Sequence, residues 1–173
     1  MIQIYNATVD DIAGISEVQK ETWLSTYPNE EFGITKEDIL SEDFFSGDRI
    51  ESRKKIINNQ NSNTKFWVAK DEGKVIGYCC ARKEATSNTI KSLYVLPLFQ
   101  GKGIGQMLIE KAFDFLDMKN PTKLAVAIYN QNAISFYERL GFKKGKRFDK
   151  NPEGPFITGK EIPEMEMIKE PTL

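Results

Sequence analysis

Histidine is missing from the chain altogether, and its absence excludes Ser-His-Asp catalysis, Cys-His catalysis and every histidine-ligated zinc site. Any acid or base must therefore be Asp, Glu, Tyr, Lys, Cys or a water. Cysteine is nearly absent too. Cys79 and Cys80 are the only two, adjacent in an apolar stretch where successive strand side chains point to opposite faces, so they are poorly placed to bond each other. They read as reduced packing residues of a cytosolic protein. Charge of one sign is also lacking: 24 basic and 25 acidic residues leave a net charge of -1, without the basic field that nucleic-acid binding requires. No stretch approaches the ~18 apolar residues that cross a membrane, and Met1-Ile2-Gln3-Ile4 lacks the long apolar run of a signal peptide. The expectation is a soluble, cytoplasmic protein without a nucleic-acid, membrane or metal partner.

The 173 residues suit one domain spanning 1–173, since domains commonly hold roughly 100–200 residues. A domain of that size buries about 70% of its unfolded surface and needs neither a disulfide nor a structural metal to fold. Ile2, Ile4 and Tyr5 predict a short first strand, and Thr8 with Asp11 three residues on resembles a capping box that opens a helix. Ile12, Ile15, Val18 and Trp23 recur at near-helical spacing until Pro28 closes the element. Thr35 and Asp38 repeat the cap signal, and Ile50, Ile56 and Ile57 mark a helix over 48–59 before an Asn- and Ser-rich loop over 58–64. Strands over 64–71 and 74–82 turn about Glu72-Gly73 as an antiparallel hairpin. A strand over 90–96 stops at Pro97, and a helix over 103–118 carries Ile104, Met107, Leu108, Ala112, Phe115 and Leu116 on one face. A strand over 123–129, a short helix over 132–140 stopped by Gly141, a loop over 149–159 and a last strand around 164–168 complete the pattern. Alternation of strand and helix in the second half implies crossovers that set adjacent strands parallel or nearly so, hence an α+β or α/β single sheet.

Gln100-Gly101-Lys102-Gly103-Ile104-Gly105 lies between a predicted strand and a predicted amphipathic helix, where unpaired N–H groups at the helix start can face an anion. Without a Cβ, Gly101, Gly103 and Gly105 let the main chain turn tightly and approach a pyrophosphate, and Lys102 adds charge. A ligand-free strand-to-helix turn would explain a Gly-x-Gly alone. The P-loop needs Gly-Lys-Ser/Thr, whereas Lys102 is followed by Gly103, and the dinucleotide fingerprint needs a third glycine where Met107 and Leu108 stand. Neither fits. The stretch instead resembles the Gln/Arg-x-x-Gly-x-Gly/Ala motif of the GNAT superfamily of acyl-coenzyme A-dependent N-acyltransferases, with Gln100, Gly103 and Gly105 as the matching positions. That resemblance implies a GNAT-like fold of α+β (α/β three-layer) type, a central mixed sheet flanked by helices. It also implies acetyl-coenzyme A (acetyl-CoA) as cosubstrate, held by Gln100 through Gly105 and paired along its pantetheine arm with Leu93, Tyr94 and Val95 like an added strand.

Asn130-Gln131-Asn132-Ala133-Ile134-Ser135-Phe136-Tyr137-Glu138-Arg139-Leu140-Gly141-Phe142 resembles the other signature of the same family. The resemblance implies that Asn130 hydrogen-bonds the cofactor arm, that Asn132 caps the helix and approaches the cofactor, and that Tyr137 directs its hydroxyl at the thioester sulfur. Taken singly, Asn132 is an ordinary helix cap and Tyr137 an ordinary half-buried aromatic. Two matches in the right order on the right elements outweigh either alone.

Acyl transfer to an amine needs a neutral nucleophile, a polarised carbonyl and an outlet for the thiolate, and requires no metal. The family analogy makes the Val95 N–H the oxyanion donor, with the thioester admitted between two splayed central strands and Tyr137 assisting the sulfur. A tyrosine pKa near ~10 lies above a thiol's ~8.5, so hydrogen bonding outweighs full proton donation. Thr89 stands where family members often carry a glutamate, leaving Glu84, Glu30 and Glu31 as bases through water and none assigned. The segment 21–27, followed by acidic residues, resembles the substrate side of PaiA-like spermidine and spermine acetyltransferases. That makes a primary amine such as spermidine or spermine the acceptor, with Trp23, Tyr27, Glu30 and Glu31 as its contacts. Helix packing and a solvated loop explain these same residues. A protein N-terminal or lysine amine, an aminoglycoside or an amino acid therefore stays open as acceptor, as does a coenzyme A-binding regulatory module without turnover. The resemblance is compatible with a homodimer.

Overall fold

Phe66, Val68, Val75, Ile76 and Tyr78 lie on two strands that fold back at Glu72 and Gly73, whose φ angles of 49° and 82° suit a turn matching the right-handed twist of a hairpin. This hairpin, β2 (Thr64–Asp71) and β3 (Lys74–Lys83), seeds a seven-stranded sheet. The structure, a computed structural model, describes residues 1–59, 62–151 and 154–171. Gln60 and Asn61 of the expected 58–64 loop, and Pro152 of the expected 149–159 loop, lie outside the described residues.

The remaining strands are β1 (Gln3–Asn6), β4 (Asn88–Val95), β5 (Thr122–Ala127), β6 (Lys143–Arg147) and β7 (Glu164–Lys169), in spatial order β1-β2-β3-β4-β5-β7-β6. The mixed sheet and its flanking helices fit the expected class. The expectation of parallel neighbours needs correction. Only β4 and β5 pair parallel, because β7 inserts antiparallel between β5 and β6. The sequence reading also missed β6. Lys143-Lys144-Gly145-Lys146-Arg147 is exposed throughout and has no apolar alternation, as befits an edge strand blunted by lysines.

The helices are α1 (Ile12–Thr26), α2 (Lys36–Leu40), α3 (Gly47–Asn58), α4 (Ile104–Phe115) and α5 (Gln131–Arg139). Both threonine caps form: Asp11 accepts from the Thr8 N–H at 2.9 Å, and Asp38 from the Thr35 N–H at 2.8 Å. Helix α4 ends at Phe115, short of the expected 118. Asn88, wholly buried, donates through Nδ2 to the Asp117 carbonyl at 2.8 Å and so captures the chain as it leaves the helix. The buried stripe of α4 is Ile104, Leu108, Ile109 and Ala112, whereas Met107, expected on that face, is 37% exposed. Helices α4 and α5 cover one face of the sheet around Ile76, Cys79, Leu124 and Tyr137. On the other face α1 packs Ile15 and Val18 on Val68 and Tyr78, while Trp23 and Tyr27 join Ile39, Phe44 and Phe156. Cys79 and Cys80 are both free and buried.

Candidate active site

A groove of about 1190 Å³ opens where β4 and β5 part. The two strands pair only at Asn88 with Thr122 and Thr89 with Lys123, and then diverge toward Val95. Along β4 the backbone alternates direction. Leu96 donates to the Ile76 carbonyl of β3 at 2.9 Å, so in an antiparallel ladder the N–H groups of Val95 and Leu93 point the other way. That direction is the gap left by β5, and Leu93, Tyr94 and Val95 line the groove.

Beyond β4, a 3₁₀ turn at Pro97–Phe99 leads into the glycine loop. Gly101 and Gly103 have φ of 74° and 79°, a region in which a Cβ is strained, and Gly103 occupies the N-cap of α4. No atom lies within 4 Å of the Cβ that either would carry, so the first-turn N–H groups of α4 stand at an open edge suited to an anion. Gln100 ties this loop back to the strand, its Nε2 donating to the Val95 carbonyl at 2.9 Å. Gln100, Gly101, Gly103, Ile104 and Gly105 line the groove, and Lys102 does not: its Nζ lies 4.9 Å from the Phe99 ring centroid.

The opposite wall comes from α5. Asn130, rather than Asn132, caps this helix, accepting from the Ala133 N–H at 3.1 Å. The expected cap at Asn132 is thereby corrected, since Gln131 already begins the helix; both asparagines line the groove. Gly141, at φ 89°, ends α5 and lets the Phe142 N–H return to the Tyr137 carbonyl at 3.0 Å. Tyr137 is 8% exposed, held edge-on between Phe136 and Phe142 at centroid distances of 5.2 and 5.5 Å, and it lines the groove. Burial, reinforced by the Cys79 thiol, pushes its phenol well above the ordinary tyrosine range. It therefore stays a hydrogen-bond donor at any working pH.

The third wall is aromatic. Tyr27, Tyr94 and Tyr129 face the groove, the Tyr27 and Tyr94 hydroxyls lie 3.3 Å apart, and the Tyr129 hydroxyl donates to the Tyr27 carbonyl at 2.8 Å. Trp23, expected as a substrate contact, is instead 7% exposed in the core and packs edge-on against Tyr27 and Phe44 at 5.3 and 5.4 Å. Glu30 and Glu31 sit exposed on a turn closed by the Asn29–Ile34 bridge, outside the groove wall. That turn reaches the groove through Phe32, stacked on Tyr129 at 5.5 Å. Asp38 is engaged within the fold: Thr35, then Lys160 at 3.0 Å, hold its carboxyl well below the usual range. Glu84, in the turn after β3, and Thr89, near the start of β4, lie at the other end of these strands from Val95. Among the described residues no Asp or Glu lines the groove, and Arg139 is its one charged lining side chain. Sequence reasoning missed Tyr129 and Arg139. Tyr129 directly precedes the quoted segment that begins at Asn130, and Arg139 lies inside that segment, where the resemblance assigns it no role.

Comparison with known proteins agrees with this geometry. Residues 62–144 match the family described as Acetyltransferase (GNAT) domain. An uncharacterized N-acetyltransferase of Chlorobaculum tepidum is 34% identical over 102 residues, 58% of this chain and 63% of that protein. A spermidine N(1)-acetyltransferase of Thermoplasma acidophilum is 26% identical over 82% of this chain and 88% of its own length. The chain spans 39% and 63% of the length of the first curated relatives it matches. Among solved structures, the PaiA N-acetyltransferase of T. acidophilum in complex with coenzyme A superposes with a TM-score of 0.75 at 23% identity, covering 98% of this chain and 99% of that one. Residues 62–144 thus resemble the Acetyltransferase (GNAT) domain, and the whole chain has the mixed-sheet fold seen in the PaiA N-acetyltransferase.

Proposed function

We propose that this chain transfers an acetyl group from acetyl-CoA to a primary amine by direct attack on the thioester. The observation that carries the proposal is the parting of β4 from β5, which turns the Leu93 and Val95 N–H groups into a groove with Tyr137 opposite. An extended arm fits there as an added strand, pairing with β4 where β5 no longer does. The open edge at Gly101 and Gly103 and the first turn of α4 suit its anionic end, with Arg139 as the nearby cation.

Bound acetyl-CoA supplies the thioester carbonyl. The Val95 N–H faces the position where negative charge grows on the carbonyl oxygen, and stabilises that charge better than the uncharged ground state. Tyr137, kept protonated by burial, donates a hydrogen bond to the departing sulfur. As the nitrogen–carbon bond forms and the carbon–sulfur bond breaks, the proton released by nitrogen balances the one gained by sulfur. No net base is then needed once the amine is neutral. The two buried thiols suit a reducing compartment, so the cytoplasm is the proposed location.

For the acceptor we propose a linear polyamine, on the strength of the spermidine N(1)-acetyltransferase relative, which aligns over 82% of this chain. The ring faces of Tyr27, Tyr94 and Tyr129 can hold distal ammonium groups by cation–π attraction, with Glu30 and Glu31 on the adjoining turn. The test is thiol release from acetyl-CoA across spermidine, spermine, a monoamine, amino acids, an aminoglycoside and a peptide N-terminus. Selective turnover of the polyamines is expected. Turnover of another amine alone would replace the acceptor, and no turnover with any would overturn the acetyl-transfer reading.

A further inference from the structure

We infer that the C-terminal end of α1 is a seat for an ammonium group of the acceptor, one carried at a distance from the reacting nitrogen. The main-chain carbonyls of Ser25 and Thr26 and the hydroxyl oxygen of Ser25 hold it. This inference rests on the acetyl-transfer reading and names what grips a polycationic acceptor.

A helix leaves its last four carbonyls without intrahelical donors, and many helices satisfy them through the chain that follows. After α1 that chain is diverted. Tyr27 donates to the Trp23 carbonyl at 3.0 Å, which closes the last turn. Pro28, next in line, has no N–H to offer the Leu24 carbonyl. Asn29, which would serve Ser25, donates instead to the Ile34 carbonyl at 2.8 Å, in the bridge that closes the 29–34 turn. Among the described residues no donor reaches the carbonyls of Leu24, Ser25 or Thr26. Ser25 and Thr26 line the groove, so their carbonyls end at ligand space. The Ser25 hydroxyl spends its proton on the Thr22 carbonyl at 2.9 Å and keeps its lone pairs as acceptors. Aligned peptide dipoles add roughly half a negative charge at this end, and the last turn of α1 carries no basic side chain to neutralise it.

A separate feature of the same wall also suits a cation. Tyr27, directly after Thr26, and Tyr94 and Tyr129 line the groove there, and aromatic ring faces attract ammonium groups whatever their hydroxyls bond. The groove is therefore polarised by two helices. The N-terminal end of α4 suits an anion at the glycine loop, and the C-terminal end of α1 suits a cation at the aromatic wall. The reacting nitrogen cannot sit in this seat, because carbonyl oxygens stabilise the ammonium form whereas attack needs a neutral amine. An acceptor that fills both places carries at least two amines, which favours a diamine or polyamine over a monoamine.

The experiment places a tethered cation at the seat. Ser25→Lys is compared with Ser25→Met, which has nearly the same length and bulk, loses the same hydroxyl and adds no charge. The ratio of kcat/KM for spermidine to that for n-butylamine should be about 10-fold lower in the Lys variant than in the Met variant, since like charges then meet at one place. Coenzyme A affinity by calorimetry should differ by less than about 3-fold between the two. Equal ratios, or a loss in the Lys variant that is the same for both amines, overturn the inference. Thr26→Lys and Thr26→Met repeat the comparison if either Ser25 variant fails to fold. If the parent transfers no acetyl group, the acetyl-transfer reading falls, and spermidine calorimetry on the coenzyme A-loaded protein decides the seat separately. Weaker binding in the Lys variant than in the Met variant upholds it, and equal binding in the two, or none in the parent, overturns it.

Discussion

Gln100 donates its side-chain amide to the carbonyl of Val95 at 2.9 Å, so the glycine loop before α4 is tied to the strand whose N–H groups turn into the groove. In the proposed acetyl transfer, this one hydrogen bond links phosphate recognition to carbonyl polarisation. Gln100→Leu keeps the bulk and removes the bond. A bond of this kind contributes about 1 kcal/mol, so coenzyme A should bind roughly 5-fold more weakly and kcat should also fall. Calorimetry and steady-state kinetics check both, and an effect on neither would show that the loop holds its shape without the tie.

Gly103→Asp should abolish the thermal stabilisation by acetyl-CoA, which for wild type at a hundred times Kd amounts to about 2.7 kcal/mol. The carboxylate opposes phosphate, and the residue must hold a φ of 79°. Gly73→Asp is the matched control: its φ is 82°, its Cβ would also meet nothing within 4 Å, and it lies in the β2–β3 turn. Both variants should lose intrinsic stability. Only Gly103→Asp should lose the ligand shift.

Tyr137→Phe should lower kcat about 10²-fold with little change in coenzyme A affinity, the scale of one positioned donor. Burial keeps its phenol protonated far into the alkaline range, so wild-type kcat should show no fall at high pH attributable to this group before the protein itself unfolds. A descending alkaline limb that disappears in the Phe variant would contradict the assignment.

Much of this site was legible because its residue types follow from backbone demands. Gly101 and Gly103 hold left-handed φ angles, and Pro97 opens the turn that ends β4; such positions accept few residues. The hairpin about Glu72-Gly73 was legible for the same reason. Long-range packing was not. Trp23 reads equally well as a contact or as core, and only its burial among Tyr27, Phe44 and Phe156 decides. Asn130 and Asn132 are two residues apart and chemically equivalent as caps, and the choice between them depends on where β5 releases the chain. Lysine-rich β6 has no local strand signal because its pairing with β7 supplies the order.

Alkaline conditions should destabilise the fold from about pH 9 upward. Burial pushes the Cys80 thiol and the Tyr129 phenol up to about 12, and raises Cys79, Tyr78 and Tyr137 as well. Unfolded thiols and phenols titrate near ~8.5 and ~10. Above those values the unfolded chain binds fewer protons than the native one, so stability falls as pH rises. It is fully present below the unfolded pKa values and is lost toward the folded ones. Urea midpoints at pH 8 and pH 10.5 should differ in that direction, and Tyr129→Phe should narrow the gap. Equal midpoints would contradict the burial of these groups.

Two alanine substitutions separate strand placement from general packing. At Gly77 a Cβ would lie 2.9 Å from the Tyr94 carbonyl oxygen and 3.3 Å from Val95 Cα, both backbone atoms of β4. At Gly14 it would lie 2.8 Å from the Cβ and Cγ2 of Val75, at the packing of α1 on β3. Overpacking of this sort typically costs about 1–3 kcal/mol, so the two variants should be destabilised to a similar extent. Their kinetics should part. Relief at Gly77 must push β4 away from β3 where Tyr94 and Val95 sit, moving the Val95 N–H that is proposed to face the carbonyl. Relief at Gly14 shifts α1 or a valine side chain and leaves β4 in register. Because catalytic donors act only within narrow distance limits, Gly77→Ala should lower kcat by at least about 10-fold at a temperature where both variants are folded. Gly14→Ala should retain kcat near the parent value. Circular dichroism melts fix that temperature and turnover with acetyl-CoA gives the comparison; equal losses in kcat would mean that the position of β4 does not control the reaction.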